Sequence, residues 1–328
     1  MMYPLRFVPT YQYRLWGGRR LEGVFGRPLP GHEPIGEAWL LSDRPDHASQ
    51  VAEGLLEGRT LGQLMAQYAE PLMGTMAGRF ASFPLLLKFL DAKQMLSVQV
   101  HPSDAYPELL PAGETGKTEA WVVLSRGPGG RVYAGLKPGA TRDTLQRAVT
   151  DGTLANELAS FAPKPGDAVF ISAGTVHSLG DDVVVFEVQQ NSDVTFRLFD
   201  WNHVDRKTGQ PRPLQVAEAL ACIDYAKGPV LPVVPRADAA THARETLFDC
   251  RHFSVWRTRT ADPFAVGSAG VPRVLVCIDG VGHVEHRGAP YATAQGDVML
   301  LPAEVGVCAF RPKGAVTLLE IALPEARA

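Results

Sequence analysis

Cysteine is scarce in this chain of 328 residues: Cys222, Cys250, Cys277 and Cys308 stand far apart, with no Cys-x-x-Cys. That scarcity excludes a thiolate zinc cage and a dense disulfide framework. Positive charge is not clustered, and the net charge is −3. A polyanion-binding surface is therefore excluded, so neither nucleic acid nor an anionic membrane is an expected partner. Long apolar runs are missing too: nothing approaches the roughly 20 residues of a membrane span, and residues 1–10 lack the hydrophobic centre of a signal peptide. The expectation left standing is a cytoplasmic protein with a small-molecule partner.

What is abundant is turn chemistry. Thirty-two glycines and 26 prolines punctuate short apolar runs, and hydrophobic residues make up 45% of the chain. A large core cut into short pieces reads as mainly β. The spacing predicts strands near 36–42, 83–90, 95–101, 118–124, 168–172, 183–189, 194–199, 253–259, 273–278, 297–301 and 316–322. Helices are few. Leu61 to Tyr68 shows i, i+3, i+4 apolar spacing, Thr141 caps a second helix, and a third short one is expected over 152–160. Prolines at every third position from Pro229 to Pro235 predict an extended linker, which divides the chain into domains of 1–235 and 236–328.

The two halves echo each other. Pro165-Gly166-Asp167 followed by the apolar run Ala168–Ile171 returns 130 residues later as Gln295-Gly296-Asp297 followed by Val298–Leu301. A tandem pair of β-barrels follows from this repeat. Carried forward without a gap, the register puts Val307 opposite His177, so whatever His177 does is expected in the first copy alone.

Metal-ligand chemistry is concentrated in three short segments. In Leu96-Ser97-Val98-Gln99-Val100-His101, strand alternation sends Ser97, Gln99 and His101 to one face and the apolar residues to the other. Lys117 and Glu119 share a face of a second strand, and His177 follows the turn Ser172-Ala173-Gly174-Thr175. Two histidines, a carboxylate and an amide are together a ligand set for one divalent cation. Lys88, Lys117 and Arg197 lie on the same group of strands and supply positive charge for an anionic ligand, with arginine suited to bidentate contacts.

Pro84 to Ala92, Leu96 to Asp104, Gly116-Lys117-Thr118-Glu119-Ala120-Trp121, Gly174-Thr175-Val176-His177 and Gln189 to Asp200 together resemble type I phosphomannose isomerase in its short bacterial form. The resemblance runs from Trp16 to about Leu214. It implies a fold of two cupin-type jelly-roll barrels in tandem with a few short helices. It also implies a zinc enzyme, one Zn2+ per chain held by Gln99, His101, Glu119 and His177, that interconverts mannose 6-phosphate and fructose 6-phosphate through a cis-enediolate. The same resemblance assigns catalytic roles to Arg197, Lys117 and Glu187. Substrate contact or pocket lining is implied for Ser97, Lys88, Trp16, Glu37 and Asp193. Its proton carrier stays open between Lys117, Glu187 and a zinc-activated water. A monomer or weak homodimer is expected.

Two departures from the longer relatives bear on the pocket. Only 58 positions separate Glu119 from His177, leaving no room for their helical insertion, so the pocket should be more open; and Leu179 stands where they place a tyrosine. Competing readings are a mononuclear non-haem iron dioxygenase, since two histidines and a carboxylate also hold Fe(II), and a non-catalytic sugar-binding cupin. Lys117, Arg197 and the fourth ligand Gln99 favour a phosphosugar over the substrates of an oxygenase.

Overall fold

A computed structural model describes residues 1–238, 241 and 243–324. Strands form where the apolar runs predict them, among them Ile35–Leu41, Leu85–Ala92, Val98–Val100, Glu119–Arg126, Ala168–Ile171, Val183–Gln190, Phe196–Phe199, Ser254–Thr260, Arg273–Asp279, Val298–Leu301 and Val316–Ala322. The helix Leu61–Gln67 begins with a capping box: Thr60 Oγ1 accepts from Gln63 N, and Gln63 Oε1 accepts from Thr60 N at 3.0 Å. Thr141 caps Arg142–Thr150 in the same way through Thr144.

The helix expected over 152–160 is not there. A single 3-10 turn, Leu154–Glu157, gives way to the strand Leu158–Phe161, which pairs with Arg131–Leu136 at the rim of a sheet. Partners more than twenty residues away outweighed the local helical pattern. Other strands escaped the sequence reading because their side chains are mixed or polar, notably Thr10–Gly18, Val281–His286 and Ala289–Ala294.

Among the described residues all pairing is antiparallel, in four sheets. Six strands order as Thr10–Gly18, Ile35–Leu41, Leu85–Ala92, Val183–Gln190, Glu119–Arg126 and Ala168–Ile171. Five more order as Phe196–Phe199, Val98–Val100, His177–Gly180, Arg131–Leu136 and Leu158–Phe161. The later residues build a seven-stranded and a four-stranded sheet, and the seven-stranded one includes Leu5–Arg6, whose Leu5 pairs with Leu300.

Alternation on the six-stranded sheet decides where the chemistry goes. Leu87, Phe89, Val122, Phe186 and Val188 point to one face and join a core shared with residues of the seven-stranded sheet, such as Phe253 and Val274. Lys88, Leu90, Glu119, Trp121, Val185 and Glu187 occupy the intervening positions. Of these, Leu90, Trp121 and Val185 pack with Leu96, Val132 and Leu179 of the five-stranded sheet and its approach, so this face looks into the space between the two sheets. Val98 and Val100 pack instead with Leu145 and Leu220 of the flanking helices. Ser97, Gln99 and His101 are thereby left on the inner side, as the alternation predicts.

The repeated Gly-Asp turn is the same object twice. Gly166 and Gly296 both have φ of 90°, a left-handed conformation that favours glycine. Asp167 Oδ2 accepts from Lys164 N at 2.7 Å, and Asp297 Oδ2 accepts from Ala294 N at 2.9 Å. Gly166 N donates to Val123 O and Gly296 N to Cys277 O, each at 2.8 Å. Val307 is 61% exposed where His177 is buried, and is no ligand. The proline-rich stretch 228–235 forms no regular element, and it is tied down by Val230 N to Ala134 O at 3.0 Å and Val233 N to Ala168 O at 2.8 Å.

Candidate metal centre and cleft

Three candidate ligand atoms meet because three strand ends meet. His177 opens its strand directly opposite Gln99, Glu119 opens the neighbouring sheet's strand, and His101 follows Val100. His101 Nε2 is 3.4 Å from Glu119 Oε2, and His177 Nε2 is 3.3 Å from Glu119 Oε1. One ligand atom from each of the three lies within 4.8 Å of the others. Both rings are oriented from behind: His101 Nδ1 lies 2.8 Å from Val194 O and His177 Nδ1 lies 2.9 Å from Thr175 O. With each Nδ1 proton engaged there, each Nε2 lone pair faces inward.

The cluster is polar, buried and unsatisfied. His101 Nε2 and both Glu119 oxygens lack a well-aligned hydrogen bond, Glu119 Oε2 having only the Lys117 ammonium at 3.0 Å, and His101, Glu119 and His177 are each about 1% exposed. Such groups cost about 1–3 kcal/mol each unless something binds them, and two nitrogens plus a carboxylate are what a divalent cation takes. Protonation states agree. Burial pushes both histidines down, His101 to about 3 with the Lys117 ammonium adding to the effect, so both are neutral, the form that can bind a cation. Burial would raise Glu119, but Lys117 and His101 outweigh it and hold the carboxyl well below its ordinary range. Gln99 borders the cluster with its amide nitrogen 3.2 Å from His177 Nε2, while its Oε1 accepts from Ser97 Oγ at 3.1 Å. Ligation through oxygen requires that amide to turn over.

Beside the cluster opens a cleft of about 390 Å³. Charge there is dense. Lys88 Nζ lies 3.8 Å from Glu37, 3.7 Å from Glu187 and 3.8 Å from Asp193, and 4.7 Å from the centre of the Trp39 ring. Glu187 accepts from the Trp121 indole at 2.8 Å, and burial, reinforced by Glu119, pushes its carboxyl up to about 7. Lys117 Nζ stands 3.0 Å from Glu119; burial lowers it, yet Glu119 and Glu187 raise it more, so it stays an ammonium. Arg14 grips Glu37 through Nε and Nη2, both at 3.0 Å, and the Trp39 indole adds a third bond at 2.7 Å. Arg197 donates from Nε to Ser97 Oγ at 3.2 Å and from Nη1 to Pro213 O at 3.0 Å. Among the described residues no carboxylate pairs with Arg197; burial and the nearby Arg212 lower it.

Trp16, Glu37, Lys88, Ser97, Gln99, Lys117, Glu187, Asp193 and Arg197 all line this one cleft. The sequence reading missed Arg14, Asp205 and Arg212, which line it as well. Arg14 was legible: it sits two residues before Trp16 on one strand, hence on the same face. Asp205 and Arg212 lie in an irregular stretch, and nothing local marks them. Leu179 is buried in the core and does not line the cleft. Alternation alone would put Thr195, Arg197 and Phe199 on one face, but Phe199 follows a bulge after Arg197 and packs on Trp201, 5.3 Å between ring centres.

Known proteins resemble the chain along its length. Residues 5–117 match the family described as "Phosphomannose isomerase type I, catalytic domain". A probable mannose-6-phosphate isomerase, GmuF, of Bacillus subtilis is 32% identical over 311 residues, 93% of this chain and 95% of that protein. The mannose-6-phosphate isomerase ManA of the same bacterium is 32% identical over 303 residues, 92% of this chain and 94% of that one. A crystal structure of a Bacillus subtilis mannose 6-phosphate isomerase superposes with a TM-score of 0.89 at 27% identity, covering 98% of this chain and 100% of the other.

Proposed function

Since the chain belongs to the type I phosphomannose isomerase family, we propose that its cleft interconverts mannose 6-phosphate and fructose 6-phosphate through a cis-enediolate. The observation that carries this is the join of the buried His101, Glu119, His177 cluster, in which His101 Nε2 and the Glu119 oxygens lack a hydrogen bond, to a cleft lined by Arg14, Lys88, Lys117, Arg197 and Arg212. We read the resident ion as Zn2+, one per chain, with Gln99 as a fourth ligand after its amide turns. When bound, the ion would polarise the oxygens of the open-chain sugar at carbons 1 and 2.

The chain's own groups then divide the work. Glu187 takes the proton from carbon 2 of the aldose and returns it to carbon 1, while a proton passes from the oxygen on carbon 2 to that on carbon 1. A carboxyl with a pKa near 7 is suited to giving and taking a proton at neutral pH. Lys117, fixed as an ammonium, and Arg197, without a carboxylate partner, stabilise the negative charge that develops. Ser97, Lys88, Asp193, Glu37 and Trp16 seat the sugar phosphate. Lys88 is already shared among three carboxylates, so it orders them as much as it attracts the substrate.

The two sheet pairs are read as tandem cupin barrels, 1–235 and 236–328, with Leu5–Arg6 lent to the second. Support comes from the matched Gly-Asp turns and from Val307 standing where the first copy has His177. A cytoplasmic location follows from the substrate class, because sugar phosphates are charged and stay where they are made. The enzyme would act as a monomer or weak homodimer, which sedimentation checks. The deciding assay couples fructose 6-phosphate formation to a chromogenic step, using chelated protein, zinc-restored protein and His177→Ala. Turnover that survives both chelation and the substitution sinks the reading.

A further inference from the structure

We propose that Lys227 is a positioning residue for the metal centre, acting through the turn Ser172–Thr175; this rests on the metal reading above. The turn touches the surroundings of every proposed histidine and carboxylate ligand. Gly174 N donates to His101 O at 2.8 Å. Ala173 N donates to the hydroxyl of Thr118, the residue before Glu119, at 3.2 Å. Thr175 O receives the bond from His177 Nδ1 at 2.9 Å, the contact that aims His177 Nε2 inward. A shift of this turn is therefore felt by all three ligands.

The turn does not hold itself. Gly174 sits at φ 81°, and its only internal brace is the contact between Ser172 Oγ and Thr175 Oγ1 at 3.4 Å together with Thr175 N to Ser172 O at 3.1 Å. Besides the bonds to His101 and Thr118, the turn is held by a segment about fifty residues on, just after the helix Val216–Cys222. Asp224 N donates to Gly174 O at 2.9 Å, and the Lys227 ammonium donates to both hydroxyls, to Ser172 Oγ and to Thr175 Oγ1 at 3.2 Å. Lys227 is half-buried and does not line the cleft, so it has no route to the substrate. What a cation bridging these two hydroxyls does is fix the carbonyl of Thr175, and through it the ring of His177. Groups that hydrogen-bond a ligating histidine directly, as Thr175 O does here, set metal affinity by about 10–100-fold in known sites, and Lys227 acts one step behind that carbonyl.

The test compares wild type, Lys227→Met, which keeps the length of the stem, and Lys227→Arg, which keeps the charge. Zinc dissociation constants are measured by chelator competition, the visible spectrum is recorded on Co2+-substituted protein, and metal-free protein is melted. The expected result is an affinity loss of about tenfold or more for Lys227→Met, with altered cobalt bands, an unchanged melting point of the metal-free protein, and substantial recovery in Lys227→Arg. Zinc affinity of Lys227→Met within about twofold of wild type overturns the proposal, as does a loss that tracks a fall in metal-free stability and is not recovered by arginine. Wild-type protein that binds no zinc overturns the metal reading and this proposal with it.

Discussion

Lys88 and Glu187 face each other across adjacent antiparallel strands, their charged ends 3.7 Å apart and both side chains under 5% exposed. Neither is anchored at the surface, so each depends on the other to remain inside the protein. Lys88→Met should therefore be costly twice over. The loss of stability should be about 3 kcal/mol, because Glu37 and Glu187 lose a buried counter-charge, and isomerase activity should fall with it. Urea unfolding and the coupled assay check the two effects; a variant as stable as wild type would show that the pair contributes little.

The raised Glu187 sets a pH dependence. As proton carrier it must be ionised to begin the aldose-to-ketose direction, so the rate should fall as pH drops below about 7. Stability runs the opposite way: a carboxyl raised above the ordinary value of about 4.3 favours the folded state at low pH, and that contribution is lost as pH rises through about 7. Glu187→Gln should remove both dependences and lower the rate by about 10²-fold or more. A rate profile with the same acid limb in Glu187→Gln would assign the proton to another group.

Removal of the metal should abolish turnover and lower the melting point. A ligand at 100 times its dissociation constant stabilises by about 2.7 kcal/mol, so zinc added to chelated protein should raise the thermal midpoint measurably. His177→Ala should blunt that shift, since it removes one of three ligand atoms lying within 4.8 Å of one another. An equal zinc-induced shift in both proteins would place the ion elsewhere.

Arg14 holds Glu37 through two bonds of 3.0 Å. Burial would raise that carboxyl, but Arg14 and Lys88 outweigh it and keep Glu37 well below the carboxylate range. Arg14→Met should loosen the cleft wall and raise KM for mannose 6-phosphate about tenfold, equivalent to about 1.4 kcal/mol. Steady-state kinetics decide it, and an unchanged KM would make Arg14 a support for the fold only.

Thr60 offers a control remote from the cleft. Thr60→Ala removes the helix cap and should cost about 1 kcal/mol while kcat and KM stay as in wild type. A large kinetic change would reveal coupling between this helix and the cleft.

Much of this was legible in the chain. The alternation Ser97, Gln99, His101 against Leu96, Val98, Val100 named both the inner face and the core face, because a strand's side-chain period is two whatever its partners. Gly166-Asp167 and Gly296-Asp297 announced two equal turns, because a left-handed φ calls for glycine and aspartate closes the turn through its own side chain. The strand Leu158–Phe161 was not legible, nor was the bulge after Arg197, since both depend on which strand lies alongside.

The sequence by itself determined the apolar strands, their inward and outward faces, and the candidate ligand types, all of which follow from the spacing of residues a few positions apart. Tertiary structure decided what met: Lys88 with Glu187 and Glu37, Arg14 with the same carboxylate, Lys227 with the turn before His177. Those pairs are separated by about 20 to 100 positions, and no local periodicity encodes a distance that only the closing of sheets can set.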